Sequence, residues 1–389
     1  MLNGKLGRFL RKSALSLSFA AVAITGAGVA VGVYRHNAQQ ASATDIRLPA
    51  SSASATADPR ASLVTREVFN YLSNLPGQTD HRLISGQWAG YGKVDTVEIE
   101  RIEKMTGQRV GLVGADYLGF SHGPRIETAQ VNASMIDYWN QGALVDIDVH
   151  MPNPWTGGGS MDKSVVKFAE VITPGTSAYK AYVADLDKIA AGLQELQDAG
   201  VTVLFRPMME MDGNWFWWGQ QKDFPKLWAQ TFDYLTNTKG LHNLLWVYSA
   251  GSSKPLKYYP GTQYVDVVGY DAYSYGTSRS GKAKGYEALL STGKPFALTE
   301  FGLQSAEYDS RTNPPHDLHK AIQKVRNHMP RAVYFMAWSN AKGMGSNYWG
   351  IDAQRKAPEA LNDPWVQNGP VPWKPTAPVL SPLPSPSKK

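Results

Sequence analysis

Eight short apolar runs, each separated from the next by a stretch with helical periodicity, constrain the fold of this chain more than any other feature of its sequence. The runs are rich in β-branched residues and are bounded by glycine, proline and polar residues, which is typical of buried strands. We predict strands at Arg82–Gln87, Arg109–Ala115, Ala143–His150, Val201–Arg206, Asn243–Tyr248, Val265–Tyr270, Pro295–Thr299 and Ala332–Ala337.

The segments between these runs predict helices. In the clearest, Ser177–Ala199, apolar residues recur at spacings of 4, 3, 4 and 3 residues. Others are predicted at Thr96–Thr106, Thr128–Gln141, Asp223–Thr238, Gly285–Thr292 and Asp317–Met329. Alternating strands and helices form parallel sheets, and eight such units predict an α/β fold of the (β/α)8 (TIM) barrel class. A doubly wound sheet is the alternative, but no Gly-x-Gly-x-x-Gly motif follows the first strand, which disfavours dinucleotide binding.

The two ends of the chain differ in composition from its centre. Residues 1–12 are basic, and residues 13–34 form an uncharged run long enough to span a bilayer, which takes about 20 residues. We predict a signal peptide or signal anchor over residues 1–35 and a disordered linker over residues 36–58. The predicted barrel domain covers residues 59–366, and a Pro-rich tail covers residues 367–389.

Charge and cysteine content exclude several classes of function. The net charge is +6, and the first 36 residues carry +5 of it, so the remainder is close to neutral and disfavours nucleic-acid binding. The chain has no cysteine, which excludes disulfides, thiolate nucleophiles and Cys-ligated metals. We expect an exported monomer, either secreted or anchored in the inner membrane of the cell envelope by residues 13–34.

Side chains suited to sugar chemistry lie at the carboxyl ends of the predicted strands, where barrel enzymes carry their active sites. Glu210 follows the fourth strand beside three tryptophans, and Glu300 ends the seventh. Aromatic faces pack against the C–H faces of sugar rings, and glycosidic bond cleavage needs two carboxyl groups. On the fourth-strand segment alone, an ordinary loop acid beside a minor core is an equally good interpretation. Further strand-end candidates are Arg206, His150, Trp155, Trp215, Tyr273 and Trp338.

Two of these segments resemble glycoside hydrolase family 26, whose members include endo-β-1,4-mannanases and some enzymes that act on mixed-linkage β-glucan or β-1,3-xylan. Arg206-Pro-x-x-Glu210-Met-Asp-Gly-Asn-Trp215-Phe-Trp-Trp218-Gly is similar to the family's acid/base segment, and Pro295-Phe-Ala-Leu-Thr-Glu300-Phe-Gly302 is similar to its nucleophile segment. The resemblance covers roughly residues 80–350. It implies a retaining mechanism in which Glu210 is the acid/base and Glu300 the nucleophile, with carboxyl groups about 5–5.5 Å apart.

The resemblance also implies roles for the remaining candidates. Arg206 would orient a glutamate by charge-assisted hydrogen bonds, and Tyr273 would donate to the nucleophile. His150, Trp155, Trp215 and Trp338 would line the sugar subsites. One position departs from the family: the acid/base glutamate usually follows a histidine, but this chain has Met209. We expect this position to contact the substrate, so the change leaves the identity of the sugar open.

No metal or other cofactor is predicted. Asp146, Asp148 and His150 alternate and point to one face of a strand, which could be a metal site but is more typical of a polar layer in a barrel. We therefore predict a retaining endo-glycosidase for a β-linked polysaccharide, with β-1,4-mannan or glucomannan favoured. The alternatives are a β-1,3-1,4-glucanase, a hydrolase that trims the cell's own exopolysaccharide, and a glycan-binding protein without activity.

Overall fold

The chain folds into a closed barrel of eight parallel strands. A computed structural model describes residues 55–80, 82–273, 285–303, 316–339 and 349–373. Each strand pairs in parallel with the next, and pairing of Ser85 with Phe335 joins the first strand to the eighth, so the prediction of a (β/α)8 barrel is confirmed and an open sheet is excluded. The strands are β1 (Leu83–Tyr91), β2 (Leu112–Asp116), β3 (Leu144–Val149), β4 (Val203–Pro207), β5 (Leu244–Ala250), β6 (Val267–Ala272), β7 (Phe296–Phe301) and β8 (Ala332–Ala337).

Helices surround the barrel, and several begin at a side chain that caps the first turn. Asp95, Thr176 and Asp317 each accept a hydrogen bond from the backbone N–H three residues later, which satisfies a donor that a helix N-terminus leaves unpaired. All six predicted helices are present. The described helices are α1 (Leu63–Asn74), α2 (Thr96–Thr106), α3 (Ala129–Asn140), α4 (Phe168–Val171), α5 (Ser177–Asp198), α6 (Phe224–Phe232), α7 (Tyr286–Leu290), α8 (Leu318–His328) and α9 (Ala357–Leu361).

Shorter elements complete the described fold. A π-helical segment, Asp233–Thr238, continues α6, so the helix predicted over Asp223–Thr238 changes its hydrogen-bond pattern in its second half. Single 3-10 turns occupy Leu75–Gly77, Thr262–Tyr264 and Ile351–Ala353. Leu118–Gly119 and Arg125–Ile126 form a small antiparallel pair after β2, and Val366–Gln367 pairs with the start of β1.

Two apolar layers follow from the alternation of side chains along the strands. Residues such as Leu204 and Leu245 point into the barrel, and Phe205 and Trp246 point outward against the helices. Helix α1, which the sequence analysis did not predict, belongs to the inner layer because its Phe69 lies in the same buried cluster as Leu204 and Leu245. The helix therefore closes the amino-terminal end of the barrel, opposite the end where active sites of this fold lie.

The folded part extends beyond both boundaries predicted from the sequence, residues 59 and 366. At the start, the backbone N–H of Ala57 donates to Asp266 over 2.6 Å, and Asp58 pairs with His242 over 2.7 Å. At the other end, Trp373 is buried and stacks on Trp139 with ring centroids 5.1 Å apart. Amino-acid composition can indicate where a low-complexity segment lies. It cannot indicate the few specific contacts that attach the ends of such segments to the barrel.

The predicted signal or anchor segment lies outside the described residues. Within the described part of the chain, no helix is both long enough and apolar enough to cross a membrane.

Asp266 makes the stability of the barrel base depend on pH. Burial raises the pKa of Asp266 to about 6, although hydrogen bonds from the N–H groups of Ala57 and Trp246 oppose that shift. The pKa of an aspartate in the unfolded chain is about 3.9, below that of Asp266 in the folded state. As the pH rises from 4 to 6, the unfolded state therefore loses the proton before the folded state does. We expect the side chain's contribution to the free energy of unfolding to fall by up to about 3 kcal/mol across that interval.

Asp266→Asn should therefore flatten the dependence of the unfolding free energy on pH between 4 and 6, as measured by urea denaturation. The exposed Asp137→Asn is the matched control and should leave the dependence unchanged. Equal pH dependence in Asp266→Asn and the native chain would contradict the assignment.

Candidate active site

A fully buried arginine at the carboxyl end of β4 organises the polar centre of the barrel. The Nε and Nη2 atoms of Arg206 donate to the two oxygens of Asp148, each over 2.6 Å. Its Nη1 donates to Glu300 over 2.8 Å and lies 3.3 Å from Asp271. Burial alone would lower the pKa of Arg206, but the charges of Asp148, Glu300 and Asp271 raise it well above the ordinary value, so the guanidinium stays charged. Four strands are thus joined through one side chain.

Glu300, at the end of β7, is held on both carboxylate oxygens. One oxygen accepts from Arg206, and the other accepts from the hydroxyl of Tyr273. Burial, and then the charge of Glu300, raise the pKa of Tyr273 well above its usual range, so its hydroxyl remains a donor. The Tyr273 ring in turn lies over Gly302, where a Cβ would come within 2.4 Å of the ring, so Gly302 makes room for this hydrogen bond. Two donors and one full positive charge stabilise an anionic Glu300.

Glu210 lies just after β4 in a strained backbone conformation. Its φ is +54° and that of Met208 is +51°, a region that residues other than glycine seldom adopt. The N–H of Glu210 donates to the Ser249 carbonyl over 2.8 Å, and its carboxylate accepts from the indole N–H of Trp215 over 2.6 Å. Burial, followed by the charge of Glu300, raises the pKa of Glu210 well above the ordinary value, although the Trp215 hydrogen bond opposes that rise.

The two glutamates face each other at short range. One carboxylate oxygen each from Glu210, Glu300 and Asp271 can be chosen so that all three lie within 4.8 Å of one another. Oxygens this close are compatible with the carboxyl separation of about 5–5.5 Å that is typical of retaining glycosidases and favour it over the about 6.5–9.5 Å of inverting enzymes. The surroundings of the two carboxylates differ, because the Arg206 guanidinium donates to Glu300 and the described side chain that donates to Glu210 is the neutral indole of Trp215.

The same three carboxylates are the described residues best placed to hold a metal ion. Arg206 already supplies a positive charge to Asp271 and Glu300, which makes the group resemble an ion-pair network more than an ion site. The trio considered from the sequence does not converge on one point. Asp148 bonds Arg206 with both oxygens, and His150 bonds Asp116 through Nδ1 over 2.5 Å. The absence of a resident metal remains a prediction.

Aromatic side chains border the two glutamates. Trp338, after β8, stacks on Trp88 with ring centroids 4.0 Å apart and lies over the Arg206 guanidinium at 5.9 Å. Trp215 is 36% exposed, so its ring can receive a ligand while its N–H holds Glu210. His150 lies edge-on to Trp338 at 6.4 Å. Burial lowers the pKa of His150, but the adjacent Asp116 carboxylate outweighs it and the net shift is upward.

Trp155 is the predicted binding residue that the structure places apart from this group. Its indole N–H donates to Glu170 over 3.0 Å, and its ring packs edge-on against the buried Trp217 at 5.5 Å. Within the described part of the chain, no contact joins Trp155 to Glu210 or Glu300. A substrate-binding role for Trp155 therefore requires that the ligand extend along the loop after β3.

Several side chains that support the site were missed. Ser249 and Thr299 donate to Asp271 over 2.8 and 2.7 Å, and Asp212 accepts from the N–H groups of Gly251 and Ser252, which ties the loop after β4 to the loop after β5. Each lies within two residues of a strand end or of a predicted site residue, which is the one sequence signal that could have marked them. Their partners come from neighbouring strands and are visible only in the fold.

The expectation that Met209 contacts the substrate is wrong. Its side chain is only 1% exposed and belongs to the outer apolar core, and its carbonyl accepts from the Trp218 indole over 2.8 Å. Met208 and Glu210, on either side of it, both have left-handed backbone conformations, and the Met209 side chain between them packs into the apolar core. A residue adjacent to Glu210 in sequence is therefore not adjacent to the ligand.

Met209→His should accordingly act on stability. The imidazole would place two polar ring nitrogens at a position that is 1% exposed and belongs to the apolar core, so we expect the free energy of unfolding to fall by about 1–3 kcal/mol. Met161→His, at a position 61% exposed, is the matched control and should change it by less than about 0.5 kcal/mol. Chemical denaturation measures both, and an unchanged or more stable Met209→His would refute the buried position.

Comparison with known proteins agrees with this geometry. The model of Glycosyl hydrolase family 26 matches residues 57–369. A mannan endo-1,4-beta-mannosidase of Bacillus subtilis (strain 168) is 35% identical over 332 residues, which cover 80% of this chain and 87% of that protein.

Solved structures give the same result. The Bacillus subtilis mannanase BCman aligns with a TM-score of 0.72 and 33% identity, over 81% of this chain and 95% of that one. A beta-mannanase from a symbiotic protist of the termite Reticulitermes speratus, solved with a gluco-manno-oligosaccharide, aligns with a TM-score of 0.64 and 27% identity, over 81% and 96%. The chain belongs to glycosyl hydrolase family 26.

Proposed function

We propose that this protein is a retaining endo-β-mannanase that hydrolyses internal β-1,4 linkages of mannan or glucomannan. The observation that carries the proposal is the pair of carboxylates, Glu210 and Glu300, with oxygens within 4.8 Å and contrasting surroundings. The choice of sugar rests on the mannan-cleaving relative and on the mannanase structures to which the chain is similar.

In the first step Glu210 protonates the glycosidic oxygen as the bond to the anomeric carbon breaks. Its raised pKa, which burial and the nearby carboxylates cause, favours the protonated form that this step needs. The Glu300 carboxylate attacks the anomeric carbon and forms a glycosyl ester, and the leaving chain departs with the proton. Arg206 and Tyr273 hold Glu300 in the attacking orientation.

In the second step the roles reverse. Ionised Glu210 removes a proton from water, the oxygen attacks the anomeric carbon, and Glu300 leaves as a carboxylate. Trp215, Trp338 and His150 border the bound sugars, with the Trp215 face as the exposed platform. The substrate lies outside the cell, so export is part of the proposal, and residues 13–34 are the segment that would direct it. Fractionation of native cells would distinguish secretion from anchoring.

Replacement of the two glutamates should identify their roles. We expect Glu210→Ala and Glu300→Ala each to lower kcat on mannan by about 10²–10⁴-fold. With azide added, Glu210→Ala should yield a β-glycosyl azide, because azide replaces the water that attacks the glycosyl-enzyme. Glu300→Ala should yield an α-glycosyl azide, because azide replaces the missing nucleophile. Product stereochemistry is read by proton NMR. The exposed Glu103→Ala is the control and should retain activity. The reverse pattern of azides would exchange the two assignments.

The Trp215 hydrogen bond should set the basic limb of the pH profile. Trp215→Phe keeps an aromatic face but removes the donor to Glu210. Because that donor lowers the pKa of Glu210, its loss should raise the pKa further and move the basic limb of kcat/KM to higher pH.

Trp155→Phe is the matched control. It makes the same change from indole to phenyl, but the lost hydrogen bond is to Glu170, so the basic limb of kcat/KM should stay at the same pH. If the two variants gave the same basic limb, Trp215 would not act through Glu210. A native chain that is inert on mannan, glucomannan, mixed-linkage glucan and xylan would overturn the proposed function as a whole.

A further inference from the structure

A second cavity opens at the amino-terminal end of the barrel, remote from the glutamates. It has a volume of about 420 Å³, within the range of small-ligand pockets. Arg82 precedes β1, and Gln367 pairs beside Ile84 near the start of the same strand, which places the cavity at the base of the barrel. Glu210 and Glu300 lie at the opposite ends of their strands. A ligand here would not obstruct the cleft.

Helix α1 and the C-terminal part of the described chain form the walls. Tyr71 contributes a half-buried ring, and the other wall is lined by the exposed Pro372 and by Trp373, which is buried against Trp139. The remaining lining side chains are mostly polar: Glu67, Asn70, Asn74, Gln78, Asp80, Arg82 and Gln367. The side chains of Asn70, Asn74 and Gln78 make no hydrogen bond to another residue within the described chain, so their amides are available to a ligand.

The charges in the lining narrow the class of ligand. Glu67 and Asp80 outweigh Arg82, which disfavours phosphates, sulfates and other anions. The prevalence of amides and carboxylates disfavours a purely apolar molecule, whose burial would leave these groups unpaired. Burial raises the pKa of Tyr71 to about 12, so its hydroxyl stays protonated and can donate. Paired donors and acceptors beside aromatic rings suit the neighbouring hydroxyls and the C–H face of a neutral sugar.

We propose that this basal cavity, lined by Tyr71, Asn70, Asn74 and Trp373, is a second carbohydrate site that binds a short stretch of neutral polysaccharide. A polymer held there would raise the effective concentration of neighbouring segments at the cleft without new contacts to the reacting bond. The benefit would appear with long or insoluble chains and not with short soluble ones. The inference rests on the proposed function for its choice of sugar, but binding at the base does not require hydrolysis.

Equilibrium titration with mannohexaose tests the site directly. Glu300→Gln in the full chain prevents turnover, and we expect two molecules of mannohexaose to bind per chain. Adding Asn70→Ala and Asn74→Ala should leave one. Both amides are exposed on α1, so their removal should not affect folding. Tyr71→Ala should have the same effect, with Tyr179→Ala on α5 as the matched half-exposed control.

The possible outcomes separate this proposal from the proposed function. A fall in the number of bound mannohexaose molecules per chain from two to one, when Asn70→Ala and Asn74→Ala are added, supports the basal site. A fall from one to none supports it as well, even if the cleft binds no mannan. An unchanged stoichiometry in the Asn70→Ala, Asn74→Ala variant overturns it, whatever the result at the cleft.

Hydrolysis gives an independent measurement with Glu300 intact. The Asn70→Ala, Asn74→Ala variant should release reducing sugar from insoluble mannan about tenfold more slowly, while kcat/KM on mannohexaose stays unchanged. Equal rates on insoluble mannan, or equal losses on both substrates, would refute the role of the cavity in holding polymer.

Discussion

The buried guanidinium of Arg206 is the interaction on which the rest of the site depends. It contacts carboxylates from β3, β6 and β7 and is itself part of β4, so half of the barrel strands meet at one charge. Removal of one partner from a buried ion pair leaves an uncompensated charge, which costs about 3–5 kcal/mol. Arg206 can contact all three carboxylates only if β3, β4, β6 and β7 end at the same level along the barrel axis. That requirement sets the position of Glu300 before any ligand arrives.

Glu210 is held by a different kind of constraint. Within the described part of the chain no cation contacts it, and its place depends on backbone strain together with one bond from Trp215 and one to Ser249. Asp212 fastens the same loop to the loop after β5. Glu300, with its cationic partner, thus faces Glu210, which has neutral partners among the described residues and a raised pKa. Such divergence between two adjacent carboxyl groups is what acid and nucleophile roles require at a single pH.

The strands, most helices and both glutamates could be predicted because each depends on local pattern. Alternation of apolar runs with helical periodicity is visible over windows of 6 to 20 residues, and barrel strand ends are where side chains such as Glu300 gather. Three features could not be predicted in this way. The left-handed backbone at Met208 and Glu210 has hydrogen-bond partners in β3 and β5, the buried Met209 side chain lies between those two residues, and α1 is buried only because a barrel base exists to receive it.

The contact of Ala57 with Asp266 has a consequence for the division of labour between the two faces of the barrel. Asp266 immediately precedes β6, so this start of the described chain is held at the face that α1 closes, a full strand length from Glu300 at the end of β7. Changes to this contact therefore act first on the base of the barrel, while the carboxylates at the other end keep their own partners.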